Sequence, residues 1–398
     1  MRPAAVLRLR KDEDRRLRAG HLWVFSNEID VATTPLDDIE PGQAVELQDA
    51  RGNFVAWGYA NPHSLITARI LSRRRDQPLG ADLVAKRLGY ALSLRERLFP
   101  QSPFYRLCFG ESDGLPGLVV DRYGSYLVVQ PTTAGMERSL DEVLTCLTEM
   151  LSPDGIVVRA DSPLRRHEGL DLYSRIATGN VPESVEIMEN GVRFRVPVLL
   201  GQKTGWFYDH RRNRARLRDY VAGTRVLDVF SYVGGWGVQA AVFGAREVVC
   251  VDASTAALAE LRANADLNGV SDRVQVVEGD AFESLERLES SGNRFDFIVL
   301  DPPAFIKRKK DLKKGEQAYR RLNRVALTLL AADGVLMSAS CSFHLGRDAF
   351  LRAILWAAGR EGREIQVIEE GHQGPDHPIH PAIPETNYLK AFFVRTLS

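Results

Sequence analysis

One cysteine stands apart by its neighbours. In SASCSFH (338–344), Cys341 follows the short apolar run Val335, Leu336, Met337 and sits among small hydroxyl residues. Its thiol can fill space, bind something or attack something. The other cysteines, Cys108, Cys146 and Cys250, are too widely spaced for any CxxC pair, which makes disulfide-framework and zinc-ribbon readings poor. A second chemical cluster precedes it. DPPAF (301–305) puts Asp301, two prolines and Phe305 directly after an apolar segment. The prolines fix the backbone and remove two N–H donors, which leaves carbonyls free to accept bonds from the amino edge of a flat ligand while Phe305 stacks on its face. Such stacking of an unpaired base is worth roughly 1 to 3 kcal/mol. IKRKKDLKK follows, with Lys307 and Arg308 at its head, and reads as a phosphate track beside a base pocket.

The elements that must position these groups are strands alternating with helices. From 224 onward come TRVLDVF, a helix from about 235, EVVCVDAS, a helix over 254–268, RVQVVEGD, a helix, FDFIVLDPP, a helix and GVLMSASCS. This is the pattern of a doubly wound, mostly parallel α/β sheet, in which ligands lie outside the carboxyl ends of the strands. Asp228, Asp252, Asp280, Asp301 and Cys341 fall at those ends. A single acid after a strand is more often a helix cap; four in consecutive units reverse that preference. Asp252 is placed to accept both hydroxyls of a ribose, and Asp280 to meet an adenine amino group. FSYVGGWG carries Gly234, Gly235 and Gly237 without GxGxxG spacing, and that weakens a dinucleotide reading. S-adenosylmethionine has an adenosine and no phosphate, so it needs the acids and a close backbone turn but no anion cradle.

Upstream, short segments with period-two alternation (GQAVELQD, FVAWGYA, LITARILS) predict a small β-barrel-like module over 1–74. An α+β unit over 79–184 is expected next, with helices at 79–99 and 138–151 and two strands around Tyr123-Gly124-Ser125, and the last unit spans 185–398. A hairpin turning at Asn190-Gly191 leads into it. The chain has 398 residues, 44% hydrophobic and 26% charged, with Lys plus Arg matching Asp plus Glu at 52 each. Net charge therefore argues for no partner. Local charge does: basic clusters at 8–18, 73–75, 211–218 (Arg211 and Arg212 at its start) and 307–314 make a phosphate backbone a candidate ligand. The N-terminus meets charge before an apolar leader can develop and no run reaches the ~18 apolar residues of a membrane span, so a cytoplasmic protein with no membrane partner is expected. His372, His377 and His380 are interrupted by prolines and lack acidic partners beyond Asp376, a poor metal set.

DVFSYVGGWG, VDAS, EGDAF, DPPAF and SCSFH, in that order and spacing, resemble a class I S-adenosylmethionine-dependent RNA methyltransferase. GQKTGWFYDHRRNR (201–214) and GESDGLPGLVVDRYG (110–124) narrow the resemblance to the bacterial rRNA large subunit methyltransferase I family, which acts on cytosine carbon 5 in 23S rRNA. The resemblance covers nearly the whole chain. It implies an N-terminal PUA β-barrel that binds RNA, a central α+β domain, a C-terminal Rossmann-like catalytic domain and a homodimer. It implies a cofactor site of Lys203, Thr204, Phe207, Asp209, Asp228, Phe230, Ser231, Tyr232, Gly234, Asp252, Asp280, Ala281 and Asp301. Phe230 and Tyr232 stand where the general methyltransferase motif DxGxGxG has glycines, so a change of cofactor pose around those two residues is expected.

Carbon 5 of cytosine is a poor nucleophile until a thiolate adds to carbon 6. Cys341 is the expected nucleophile, Asp301 the group that bonds or protonates ring nitrogen 3, and the Pro302 carbonyl the acceptor for the amino group. There is no second cysteine after DPP, so Cys341 must both attack and leave. Cys146 and Cys250 read as small core hydrophobes. Two alternatives remain: methylation of a base nitrogen, which needs no Cys341, and an RNA-binding assembly factor without turnover.

Overall fold

The computed structural model describes residues 5–397, so the first four residues of the expected 1–74 module and the last of the 185–398 unit lie outside it. The residues form two compact units. The first takes in the chain up to Val185 with Pro197–Tyr208 and Pro375–Thr386; the second takes in Glu186–Val196, Asp209–Gly374 and the residues from Asn387.

In the first unit, strands Ala5–Arg8, Trp23–Phe25, Gln43–Gln48, Phe54–Ala60 and Ile66–Ser72 make one five-stranded sheet. Its inward positions, among them Leu7, Val24, Val45, Leu47 and Ile70, form one core. A second five-stranded sheet follows, built from Phe104–Phe109, Leu118–Tyr123, Tyr126–Pro131, Gly155–Ala160 and Tyr173–Gly179. Helices Ala81–Leu98 and Leu140–Leu151 lay Leu83, Leu88, Val143 and Leu147 on a core shared with that sheet.

The second unit opens within a hairpin of strands Ser184–Glu189 and Val192–Pro197, of which it takes Glu186–Val196 and whose turn residues Asn190 and Gly191 have φ of 55° and 81°. Positive φ at both central residues is the two-residue hairpin geometry that Asn-Gly favours. Next come β1 (Arg225–Val229), α1 (Gly237–Val242), β2 (Glu247–Asp252), α2 (Thr255–Leu267), β3 (Val274–Glu278), α3 (Ala281–Ser290), β4 (Phe295–Leu300), α4 (Leu312–Leu329), β5 (Leu330–Ser340), α5 (Arg347–Arg360), β6 (Ile365–Gly371) and β7 (Lys390–Thr396). They order the sheet β3-β2-β1-β4-β5-β7-β6. The first five are mutually parallel, and β7 inserts antiparallel between β5 and β6. Strands covered on both faces read as continuous apolar runs; Leu227, Val249, Ile298 and Leu336 accordingly meet Leu285, Leu322 and Val325 of the helices.

Two boundaries differ from the sequence reading. α1 is a single short helix starting at Gly237. β5 starts at Leu330, ahead of the expected Gly334, because α4 runs into it without a loop; a register shift between Phe295 and Phe297, with Asp333 at φ 60°, absorbs the extra residues. β6 and β7 have no counterpart in that reading. No helix among the described residues is long and apolar enough to cross a membrane.

Candidate active site

The parallel strands deliver five chemical groups to one edge. Asp228 is the penultimate residue of β1, Asp252 ends β2, Asp280 follows β3, Asp301 follows β4 and Cys341 follows β5. The strand order reverses at β1, the switch point at which such sheets bind ligands.

The turn after β1 is the most constrained backbone here. Phe230 and Tyr232 have φ of 67° and 48°, the left-handed region that disfavours side chains. The glycine-like conformation is thus kept without glycine, and strain of this kind persists only where surroundings over-determine it. They do. The Phe230 and Ser231 N–H groups donate to Val251 O at 2.9 and 3.1 Å, and the Tyr232 N–H donates to Asp252 Oδ2 at 2.9 Å. Gly234 has φ 90°, and a Cβ there would meet Val238 at 2.7 Å and Leu261 at 2.9 Å.

Around this turn, polar atoms are buried without partners. Asp228 Oδ2 accepts the Gly237 N–H at 2.8 Å, but Oδ1 has no hydrogen bond, and neither does the Ser231 hydroxyl. Burial pushes the Asp228 carboxyl up to about 8, opposed by the Gly237 N–H and reinforced by Asp301 and Asp252. Asp252 accepts from Ser254 N–H on Oδ1 and Tyr232 N–H on Oδ2; each oxygen has a second lone pair. Asp280 is an exposed N-cap of α3, its Oδ1 accepting from Phe282 and Glu283, and Ala281 beside it is buried. Orphaned buried oxygens at a strained turn, flanked by carboxylates at the switch point, suit a ligand rich in hydroxyl and amino groups and without phosphate. S-adenosylmethionine fits that donor set.

Asp301 is held by two groups that the sequence reading did not single out. His210 Nε2 lies 3.2 Å from Oδ1, and Trp236 Nε1 donates to Oδ2 at 3.0 Å. The Asn213 amide meets His210 Nδ1 at 3.2 Å; with the amide as donor the proton sits on Nε2, which then donates to Asp301. Burial raises the Asp301 pKa, yet His210 and the Trp236 indole outweigh it, and the carboxyl lies below its ordinary value. Held in this way, the carboxylate has lone pairs left to accept further hydrogen bonds. His210 was hidden in a run of arginines, and Trp236 among glycines read for backbone.

Cys341 is half-buried, unlike Cys108, Cys146 and Cys250, which are core residues. Its Sγ lies 3.9 Å from Pro302 O, so that carbonyl holds the thiol in this structure. Flanking hydroxyls fix the backbone: Tyr319 of α4 bonds Ser342 Oγ at 3.0 Å, Ser340 donates to Tyr319 at 2.9 Å, and Ser342 Oγ accepts from Ile306 N–H at 3.2 Å.

Phe305 is not a free platform. It is half-buried, packed 4.9 Å from Tyr319 and 6.5 Å from Phe230, centroid to centroid. Lys307 and Arg308 are exposed, as is Arg212. Arg211 corrects the expectation placed on it: it is 8% exposed and its guanidinium faces buried Glu189 at 3.5 Å, a carboxylate that Arg214 also grips at 2.6 Å. A guanidinium committed to a buried ion pair does not present itself to a phosphate. Asp209 accepts from the Tyr388 hydroxyl at 2.6 Å in this second unit. Lys203, Thr204 and Phe207 belong to the first unit. There the Lys203 ammonium lies 4.5 Å over the Phe207 ring, Lys203 has φ 51°, and the buried Thr204 hydroxyl is unpartnered. Among the described residues no His, Cys, Asp and Glu cluster is arranged to hold a metal ion.

A mainly parallel sheet with this strand order, a strained first turn and acids at successive strand ends suits an S-adenosylmethionine-dependent methyltransferase, and that family's sequence profile matches residues 162–395. A PUA-like profile matches 7–73. The chain is 39% identical to ribosomal RNA large subunit methyltransferase I of Aeromonas hydrophila and 36% identical to that of Erwinia tasmaniensis, each match covering 98% of this chain and at least 98% of the relative. It belongs to the rRNA large subunit methyltransferase I family. The crystal structure of SMU.776 with SAH shares the fold at TM-score 0.84 and 21% identity, over 98% of this chain and 100% of that one; a SAM-dependent methyltransferase from Streptococcus mutans does so at 0.83.

Proposed function

We propose that this protein methylates carbon 5 of a cytosine in 23S rRNA through a covalent bond between Cys341 and carbon 6. One observation carries the reading: the only half-buried cysteine among the described residues stands at a strand end, 3.9 Å from the carbonyl of Pro302 in the DPP turn. The names of the near full-length relatives support large-subunit rRNA as substrate.

S-adenosylmethionine, when bound, supplies a methyl group on a positively charged sulfur. Asp252 would hold its ribose hydroxyls and Asp280 its adenine edge. Asp228, Phe230, Ser231, Tyr232, Gly234 and Ala281 would line the turn beneath it, with Asp209 as a further contact. The Cys341 thiolate donates a lone pair to carbon 6. The carbon 5–carbon 6 π pair moves to carbon 4–carbon 5, and the carbon 4–nitrogen 3 π pair settles on nitrogen 3, which takes a proton from water. Asp301, kept ionised, accepts a hydrogen bond from that N–H, and the Pro302 carbonyl turns from the thiol to the amino group. Once carbon 5 has gained the methyl group, its proton is lost to a base, the pair left behind reforms the ring double bond, the thiolate departs and nitrogen 3 releases its proton. Lys307, Arg308 and Arg212 would meet RNA phosphates, and Phe305 would contact the base by its open edge.

In this reading 1–74 gathers RNA, 79–184 supports it and 185–398 carries out the chemistry, in the cytoplasm and as a homodimer. Mass spectrometry of nucleosides from rRNA treated with the protein and methyl-labelled cofactor tests it. Label in 5-methylcytidine is expected. Label in a nitrogen-methylated base, or none at all, would replace this reading with one of its alternatives.

A further inference from the structure

β7 reads KAFFVRT, an apolar strand inside the sheet that begins with a cation. Lys390 stands opposite Ser340 in the antiparallel ladder with β5, level with the point where the chain turns into Cys341. Its Nζ donates to Ser342 O at 2.7 Å and to Tyr388 O at 2.8 Å. An ammonium has three N–H donors, so one remains for another partner. Burial pushes the Lys390 pKa down to about 8, and the charge that opposes this is that of Cys341.

The acids on the surrounding elements are engaged elsewhere. On β6, Glu369 is bonded by Tyr220 and Arg216 and Glu370 by Arg347. Asp209 is bonded by Tyr388, and Asp301 by His210 and Trp236. On α4, the Tyr319 phenol is raised by burial and bonded to Ser340 and Ser342. A half-buried cation held by two neutral carbonyls, one of them that of Ser342 next in the chain to Cys341, is matched by a thiolate at that position.

We infer that Lys390 is a positioning residue, the counter-ion that keeps Cys341 as a thiolate; the inference rests on Cys341 being the nucleophile. The ammonium favours S⁻ over S–H before addition, and again when elimination returns the charge to sulfur. A purely structural lysine would only tie the Ser342 and Tyr388 carbonyls together.

The rate of iodoacetamide alkylation against pH separates the two, because the other cysteines are buried. In the wild type the Cys341 midpoint is expected below the ordinary thiol value of about 8.5. Lys390→Met should raise it, slowing alkylation near neutral pH about tenfold for each pH unit by which the midpoint rises, and Lys390→Arg should keep it low. An unchanged midpoint in a folded Lys390→Met overturns the inference. Should that variant not fold, a wild-type midpoint at or above the ordinary value overturns it equally. Methyl transfer surviving Cys341→Ala would instead remove the nucleophile reading while leaving the thiol titration as it stands, so the two failures are distinguishable.

Discussion

Asp228→Asn should change how stability depends on pH more than it changes stability itself. The wild-type carboxyl is fully buried and its pKa is pushed up to about 8, against about 3.9 in an unfolded chain. The native state therefore binds the proton more tightly than the unfolded state, and stability falls as pH rises between these values. At 1.36 kcal/mol per pKa unit, the charge-linked loss is about 1.5 kcal/mol at pH 5, roughly 4 at pH 7 and between 5 and 6 above pH 9. An asparagine oxygen can still accept the Gly237 N–H, while its amide would take the place of the unpartnered Oδ1 at a constant cost of about 1 to 3 kcal/mol. The offset between the proteins reports that packing cost; the slope reports the proton. Urea unfolding at a series of pH values should show the variant gaining on the wild type by roughly 2 to 3 kcal/mol from pH 5 to pH 7. A difference independent of pH would mean that Asp228 is already ionised in the native protein, and the account of the β1 turn would fail with it.

Other substitutions test neighbouring parts of the argument. Gly237→Ala would put a Cβ 2.4 Å from Cys250 Sγ and 3.1 Å from Asp228 Oδ2, and thermal unfolding should register about 1 to 3 kcal/mol of overpacking. The two adjacent arginines should separate cleanly. Arg212→Ala should weaken RNA binding and lower the salt dependence by close to one phosphate contact at unchanged stability. Arg211→Ala, which leaves buried Glu189 with Arg214 and Gln239, should cost roughly 1 to 3 kcal/mol of stability, and a salt slope that changed equally for both would contradict the buried pairing.

The strand-end residues were legible because a parallel sheet buried on both faces writes itself as apolar runs, and Asp228, Asp252, Asp280, Asp301 and Cys341 each close one. Other features were illegible for definite reasons. Phe230 and Tyr232 fall on the motif's glycine positions, but left-handed backbone is ordinarily signalled by glycine itself, so the conformation that Val251 O and Asp252 hold there was not readable from those side chains. β6 and β7 meet β5 from far along the chain, and β7 lacks alternation because it lies inside the sheet; Lys390 went unread with it. The difference between Arg211 and Arg212 depends on Glu189, in a hairpin more than twenty residues earlier. Phe305 looked like a platform in sequence, and only the fold shows Phe230 and Tyr319 already against it.

The central claim is that Cys341 bonds to carbon 6, and trapping that bond tests it directly. In RNA carrying 5-fluorocytosine at the target, fluorine replaces the proton whose loss must precede elimination. Incubation with S-adenosylmethionine should then yield a protein–RNA adduct that survives denaturation, with the RNA mass on the peptide containing Cys341 and none on Cys341→Ala. Methyl transfer by Cys341→Ala, or wild-type methylation of ordinary RNA with no adduct on the fluorinated one, would contradict it.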